Sequence, residues 1–590
     1  MARTESPVDV VLVGFGWTSA IMGMELTDAG LNVLALERGE DRDTVPDFAY
    51  PKMADELTYG VRYKLMQRPA KSTLTVRHNV GDMAVPYRHL GSFLPGDGVG
   101  GAGTHWNGHT WRPQPQELRL KSYVEENFGA DIIPDEMTIQ DFGVSYDELE
   151  PFFDYFEKVA GISGKAGNLN GEIQEGGNPF EGWRSDEYPM PPLARTYNDT
   201  LFADVARSEG YHPFPLPAAN ASVAYTNPYG MQLGPCNFCG FCERYGCLNY
   251  SKSSPQTCIL GALKRRENFS YRTQSEVLRV ELDSDGERAI GVTYIDPEGN
   301  EVFQPADLVI LGAYSLHNVH LMLVSGIGTP YNPETGDGVV GKNYAYQMNG
   351  GSSLYFRDKE FNPFIGAGGN GEVINDFGVE QIDFAQEGFI GGSYINAAMT
   401  NGQPIRNMPL RAGAPSWGEG WKQAVQETYG HVMSIGSHGS NMSYRDCYLD
   451  LDPNYTDDHG RPLMRMTFDW KANDVRMTQF MKQKIDTLSK ALGPDDYRLS
   501  FKDFDTRYDV RPYQTTHNVG GAIMGTDPSS SALNRYLQSW DVHNVFVMGA
   551  SAFPQNLQYN PTGLVGALAY WSAKAIREQY LPNPGPLVQA

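Results

Sequence analysis

The stretch VDVVLVGFGWTSAIMGMELTDAGLNVLALERG, residues 8–39, constrains the fold more than any other part of the chain. An apolar run from Val8 to Val13 reads as a buried strand, followed by a glycine turn, a helix and a second strand. Gly14 and Gly16 allow the tight turn and let the backbone approach a pyrophosphate, which would rest on the N–H groups at the helix start. Ser19 stands where a third glycine is usual, and Glu37 closes the second strand at the spacing of a ribose-binding carboxylate. Strand, turn, helix, strand and acid in this order predict a dinucleotide-binding unit and an α/β fold.

Five of the six cysteines fall in GPCNFCGFCERYGCLNYSKSSPQTC, residues 234–258. Cys236, Cys239, Cys242 and Cys247 run C-x2-C-x2-C-x4-C, one residue longer in the last gap than the bacterial ferredoxin run. Thiolates this close on a turning loop can converge on one inorganic cluster, and so soft a donor set favours iron–sulfur or zinc. A structural zinc, plain thiols and disulfides stay open, although disulfide frameworks belong to small secreted domains. Cys258 is an alternative ligand, whereas Cys447, in YRDCYLD, reads as a lone buried thiol. An iron–sulfur cluster would move electrons one at a time, whereas the opening unit announces a two-electron cofactor.

At 590 residues the chain exceeds what a single core supports. A net charge of -24 speaks against nucleic-acid binding. No apolar run approaches the ~18 residues of a membrane span. The first strand begins at Val8, which leaves no room for a signal peptide and, taken alone, points to the cytoplasm. Residues 113–230 are rich in Pro, Asn and aromatics, with short helical pieces such as YDELEPFFDYFEKVAG. Strands are expected in FSYRTQSEVLRVELD, in AIGVTYIDPEGNEV around a Pro-Glu-Gly-Asn turn, and in ADLVILGA. More follow over 350–470, including SSLYFRD, HVMSIGSHG and LMRMTFDW. An amphipathic helix is expected over 472–492, with Met477, Phe480, Met481, Ile485, Leu488 and Leu492 on one side. The tail holds a glycine-rich loop, the short strand in VHNVFVMGAS and the helix GLVGALAYWSAKAIREQY.

Five stretches carry a resemblance over nearly the whole chain. They are the opening unit, GDGVGGAGTHWNG, TNPYGMQLGPCNFCGFC, ADLVILGAYSLHNVHLMLVSGIG and HNVGGAIMGTDPSSSALNRYLQSWDVHNVFVMGASAFPQNLQYNPTG. With them the chain resembles the glucose–methanol–choline (GMC) oxidoreductase family, and within it the flavoprotein subunits of membrane-bound gluconate 2-dehydrogenases and related keto-gluconate and polyol dehydrogenases. The resemblance implies an FAD-binding Rossmann-like domain interleaved with a substrate domain on an antiparallel sheet. It divides the chain into FAD-binding parts at 1–45, 263–345 and 505–590 and an FAD loop at 91–112. Substrate-side and lid segments then occupy 113–230, the cysteine segment 231–262 and the substrate domain 346–504.

The same resemblance implies roles for individual residues. Gly100 and Gly101 lie in the FAD loop, and THWN is similar to the segment in which a histidine bonds covalently to the flavin. That role would fall to His105, whose other reading is simple packing beside the ring. Asn107 would lie near the flavin edge. The Val277 backbone would meet the adenine, and Gly312, Ala313, Gly549, Ala550, Pro561 and Thr562 would complete the FAD site. Ser325-Gly326-Ile327-Gly328 matches a second family signature. His517 and Asn560 match the catalytic pair, with His517 taking the proton of an alcohol and Asn560 orienting its oxygen. His543, at a strand entrance, reads as structural. The helix opened by Asn560-Pro-Thr-Gly would turn its positive end toward the flavin.

By resemblance, FAD takes two electrons from a sugar acid, D-gluconate becoming 2-keto-D-gluconate, and a three- or four-iron cluster on the four cysteines relays them. The acceptor is a cytochrome c subunit. A small third subunit carries the export signal, and the site of action is the periplasmic face of the inner membrane, against the cytoplasm of the bare sequence. Other substrates stay open: 2-ketogluconate, sorbitol, fructose or a glycoside C3 hydroxyl. So does another class, a non-catalytic relay or assembly subunit, against which the presence of both His517 and Asn560 speaks.

Overall fold

The computed structural model describes residues 3–49, 65–66, 72–88, 93–397, 410–411 and 413–587. Residues 91 and 92 of the expected FAD loop, and 398–409 and 412 of the expected substrate domain, lie outside the described residues. Strand Val8–Val13 forms as expected and lies between Val33–Leu36 and the second half of Glu301–Leu311, parallel to both. Phe269–Arg272 extends the parallel sheet beyond Val33–Leu36, and Val545–Val547 extends it beyond Glu301–Leu311. Buried on both faces, these strands are apolar without alternation, as VLAL and VFV show.

Glu301–Leu311 is longer than the apolar ADLVILGA suggests. Its first half pairs antiparallel with Ala289–Ile295, which in turn pairs with Glu276–Leu282. The expected turn between the last two strands of this ribbon is held by Asp296, whose carboxylate accepts from the N–H groups of Glu298 and Asn300.

A second sheet is antiparallel throughout. Its order is Asp496–Ser500, Met348–Tyr355, Val432–Gly439, Ser393–Ala397, Glu372–Phe377 and Phe214–Pro215. Helix Ala472–Ala491 packs across it and buries Met477, Met481, Ile485 and Leu488; Leu492 caps its end, and Phe480 is only partly buried. The architecture is therefore α/β, a largely parallel sheet interleaved in sequence with an antiparallel one, as expected.

The expected short helical pieces of 113–230 include one continuous helix, Tyr146–Ala160, started by a Ser145–Glu148 capping box. Helix Thr562–Ala575 lies against it at Gly566, where a Cβ would enter the Phe156 ring. One turn earlier, a Cβ on Gly563 would collide with the Trp111 carbonyl. The helix start is thus pressed onto the loop that carries Trp111. The next residue, Arg112, is buried and pairs with Glu150 at 3.0 Å and Glu157 at 2.8 Å, and Arg184 also reaches Glu157. The four charges lock Tyr146–Ala160 to that loop. Arg112→Met would leave Glu150 without its guanidinium partner and Glu157 with only one. Losing one partner of a buried pair costs about 3–5 kcal/mol, so a clearly lowered urea midpoint is expected. An unchanged midpoint would show that the network holds nothing.

Candidate active site

One elongated cavity runs from the ends of the parallel strands to the edge of the antiparallel sheet. Of the residues singled out by sequence, Gly14, Gly16, Glu37, Gly101, His105, Asn107, Val277, Gly312, Ala313, His517, Gly549, Ala550, Asn560, Pro561 and Thr562 all line it. Ser19 and Gly100 do not. Ser19 is fully buried under its helix, where its Oγ occupies the space a Cβ on Gly312 would need. Gly100 turns the chain at φ +93° and donates its N–H to the Phe15 carbonyl at 2.6 Å.

The first end of the cavity suits the FAD that the sequence resemblance implies. Gly14, at φ +83°, would place a Cβ 2.8 Å from the Gly312 carbonyl, so no side chain can narrow the turn. Helix Trp17–Asp28 starts there with no side-chain cap and no acid in its first turn, leaving N–H groups open to an anion. Glu37 is held by the N–H groups of Phe15 at 3.0 Å and Gly39 at 2.9 Å, and burial raises its pKa. Further along, His105 is buried with Nε2 lacking any partner. Burial, together with the positive charges of Lys252 and Arg244, pushes its pKa down to about 3. An unpartnered imidazole nitrogen on a ring that lines the cavity suits either attachment to a flavin or packing beside one. Helix Thr562–Ala575 also begins uncapped at this wall.

At the other end, His517 is fixed by a chain of amides. Gln347 donates Nε2 to the Gln558 carbonyl at 3.3 Å, which turns its Oε1 toward His517 Nδ1. Asn560 Oδ1 accepts from Trp111 Nε1 at 2.9 Å and Tyr394 Oη at 3.0 Å, which turns its Nδ2 toward His517 Nε2, 3.3 Å away. An acceptor at Nδ1 and a donor at Nε2 select the tautomer with hydrogen on Nδ1 and a lone pair on Nε2. Burial, then the neighbouring His438 and His109, hold the His517 pKa well below the usual imidazole range, so the ring is neutral.

Gln347, His438, His109, Trp111 and Tyr394 escaped the sequence reading. His438 stacks on Tyr394 at 5.4 Å, and burial lowers its pKa to about 4. His543 stands at the strand entrance, away from the cavity, beside Tyr580.

The cysteine loop lies against the same wall. Arg244 N–H donates to the His105 carbonyl at 2.6 Å, two residues after Cys242. Cys236, Cys239, Cys242 and Cys247 are free thiols close enough to act on one another: burial first, then Cys242, pushes Cys236 and Cys239 up to about 12. Backbone N–H groups point at sulfur, Phe238 at Cys236 (3.4 Å) and Ser251 and Lys252 at Cys247 (3.3 and 3.2 Å). Lys252 is fully buried. Its Nζ donates to the carbonyls of Trp106, Cys242 and Tyr245, and among the described residues it makes no ion pair with a carboxylate. Burial lowers its pKa, and the sulfurs of Cys242, Cys247 and Cys239 act in the opposite sense. A buried ammonium beside four sulfurs suits a site that carries negative charge. Cys258 is buried beside Thr257 and the Ala160 carbonyl, and Cys447 is a lone buried thiol beside Asp446.

Comparison with known proteins bears on the family and the fold. The family model described as GMC oxidoreductase matches residues 209–349 and 443–569. A gluconate 2-dehydrogenase flavoprotein of Pantoea cypripedii is 56% identical over 596 residues, covering 100% of this chain and 97% of the relative. A 2-methyl-1,2-propanediol dehydrogenase of Mycolicibacterium austroafricanum is 25% identical, covering 98% and 97%. The crystal structure of pyridoxine 4-oxidase from Mesorbium loti shares the fold at a TM-score of 0.57 and 15% identity, covering 98% of this chain and 100% of that one.

The packing of Ser19 under Gly312 is testable. Gly312→Ala should push helix Trp17–Asp28 off the sheet and lower the flavin retained per chain after gel filtration. Ser19→Gly in the same chain should restore it. Full flavin loading in Gly312→Ala alone would mean that this contact does not set the turn.

Proposed function

The chain belongs to the GMC oxidoreductase family, and on that premise we propose that it is the flavoprotein of a dehydrogenase oxidising D-gluconate to 2-keto-D-gluconate. The observation that carries the chemistry is the lone pair on His517 Nε2, which Asn560 Nδ2 meets at 3.3 Å. The choice of substrate rests on the kinship with the Pantoea flavoprotein. FAD, when bound, supplies the acceptor for a hydride. His517 Nε2 accepts the proton of the substrate hydroxyl while the same carbon gives up its hydrogen with the bonding pair, leaving a ketone. Asn560 Nδ2 donates to the hydroxyl oxygen, where negative charge grows as the proton leaves. Trp111 and Tyr394 keep that amide from turning over, and Gln347 keeps the proton on Nδ1. His105 is the residue proposed to hold the cofactor covalently.

An iron–sulfur cluster on Cys236, Cys239, Cys242 and Cys247 supplies one-electron transfer in this reading. A single zinc, with Zn–S bonds of about 2.3 Å, needs its thiolates nearly touching. Among the described residues, no group of three or more His, Cys, Asp or Glu side chains is arranged to hold a metal ion. In a cluster each thiolate meets its own iron, so wider spacing is tolerated. Lys252 offsets the negative charge. The acceptor is a cytochrome c subunit, with a small subunit bearing the export signal, at the periplasmic face of the inner membrane. In this reading membrane contact falls to the partners; among the described residues no helix is long and apolar enough to cross a membrane.

With a dye as acceptor, the purified flavin-loaded chain should convert gluconate to the 2-keto acid, identified by mass and NMR. Turnover of sorbitol or fructose but not gluconate would overturn the substrate. Iron and acid-labile sulfide should co-purify, and stoichiometric zinc without iron would rule out the relay. Because the His517 pKa is lowered, the neutral ring persists as pH falls through 6.5. The rate of flavin reduction should therefore stay level from about pH 8 to 5.5, and a decline centred near 6.5 would contradict the buried, neutral base.

A further inference from the structure

Three arginines line the cavity, each with a carboxylate near it. Arg38 meets Asp97 at 3.3 Å, and Arg461 meets Asp457 at 2.7 Å and Glu276 at 3.0 Å. Arg244 differs. It is 6% exposed, yet its Nε and Nη2 make no hydrogen bond. Glu243 Oε1 lies 3.3 Å from Nε, near enough for attraction but without hydrogen-bond alignment, and that oxygen is itself unbonded. The guanidinium lies over the Tyr513 ring, its central carbon 4.2 Å from the ring centroid, and Tyr513 lines the same cavity as His517 and Asn560.

The Arg244 backbone sits at φ +71°, in the left-handed region that L-residues rarely adopt. Its N–H holds the His105 carbonyl in this conformation. The Glu243 carboxylate and the Tyr513 ring offset part of the buried charge, but Nε and Nη2 remain without a hydrogen-bond acceptor among the described residues. An anion in the cavity could accept from both.

We propose that Arg244 binds the carboxylate of the substrate and so makes this site selective for sugar acids over neutral polyols. The inference rests on the sugar-acid reading above and names the residue that reading needs. A planar guanidinium matches a carboxylate through two parallel N–H···O bonds, which an ammonium cannot provide. Two lysines on this side of the molecule are engaged: the buried Lys252 spends its donors on three carbonyls, and the half-buried Lys502 binds Asn349 beside Trp470 in a neighbouring chamber. In a 2-hydroxy acid the carboxylate adjoins the carbon that is oxidised. Holding it restricts which hydroxyl can reach His517.

The test uses flavin-loaded enzyme and the concentration dependence of flavin reduction by gluconate, with gluconamide, its uncharged amide, as a competitor. Wild type should bind gluconate on the order of 100-fold more tightly than gluconamide, as expected for a buried charge pair. Arg244→Met should weaken gluconate by a similar factor and leave gluconamide within about threefold. Arg244→Lys should recover part of the loss, and it carries the test if Arg244→Met does not fold. Lys502→Met should preserve the discrimination. Equal effects on both ligands, or loss of flavin from both Arg244 variants, would overturn the assignment while gluconate oxidation by wild type still stood. A wild type inert toward gluconate would overturn the functional reading and this inference with it.

Discussion

The hydrogen-bond chain from Gln558 through Gln347 and His517 to Asn560 is the constraint on which the site depends. An imidazole alone has two tautomers and two ring orientations, and only one combination points a lone pair at a substrate. The amides remove that freedom because each is itself oriented, Gln347 by a backbone carbonyl and Asn560 by Trp111 and Tyr394. The fold supplies these groups from distant parts of the chain. Trp111 comes from the loop clamped by Arg112, Gln347 immediately precedes strand Met348–Tyr355, Tyr394 lies on the antiparallel sheet, and Asn560 precedes the last helix. The two interleaved sheets exist, in functional terms, to bring these donors and acceptors to one point.

Burial sets the electrostatics around that point. His105, His438 and His517 all have lowered pKa values, and burial is the largest cause for each. Water-poor surroundings keep the imidazoles neutral, and they also make the two buried cations beside the cysteine loop costly. Lys252 faces the sulfurs and Arg244 the cavity. Among the described residues Lys252 makes no ion pair with a carboxylate and Arg244 keeps two donors without an acceptor, and the two are only eight residues apart on one loop. On the readings proposed above, that loop would join substrate, cofactor and relay within a short span.

Much of this was legible in the sequence, for identifiable reasons. The opening unit could be read because strand, turn and helix are local, and its glycines answer to local geometry. The cysteines could be read because their spacing is itself the signal. His517 and Asn560 were reached through resemblance, since nothing local distinguishes them from other polar residues in the tail. Gln347, Tyr394, His438 and Trp111 could not be found, because their partners are far away in sequence and an amide or indole in a strand or loop carries no periodic mark. Ser19 shows the limit of a motif: its position was legible, but only packing showed that it faces Gly312 rather than the cavity. Arg244 lay in plain view between cysteines, where the metal-ligand pattern drew attention away from it.

The central claim is that His517, held neutral with its lone pair on Nε2, takes the substrate proton. Anaerobic stopped-flow measurement of flavin reduction by gluconate isolates that chemistry from electron exit. In His517→Ala, with flavin content unchanged, the limiting rate should fall by about 10²- to 10⁴-fold and recover partly as pH is raised, since hydroxide can then replace the missing base. A variant that reduced its flavin as fast as wild type at neutral pH would show that the proton leaves by another route.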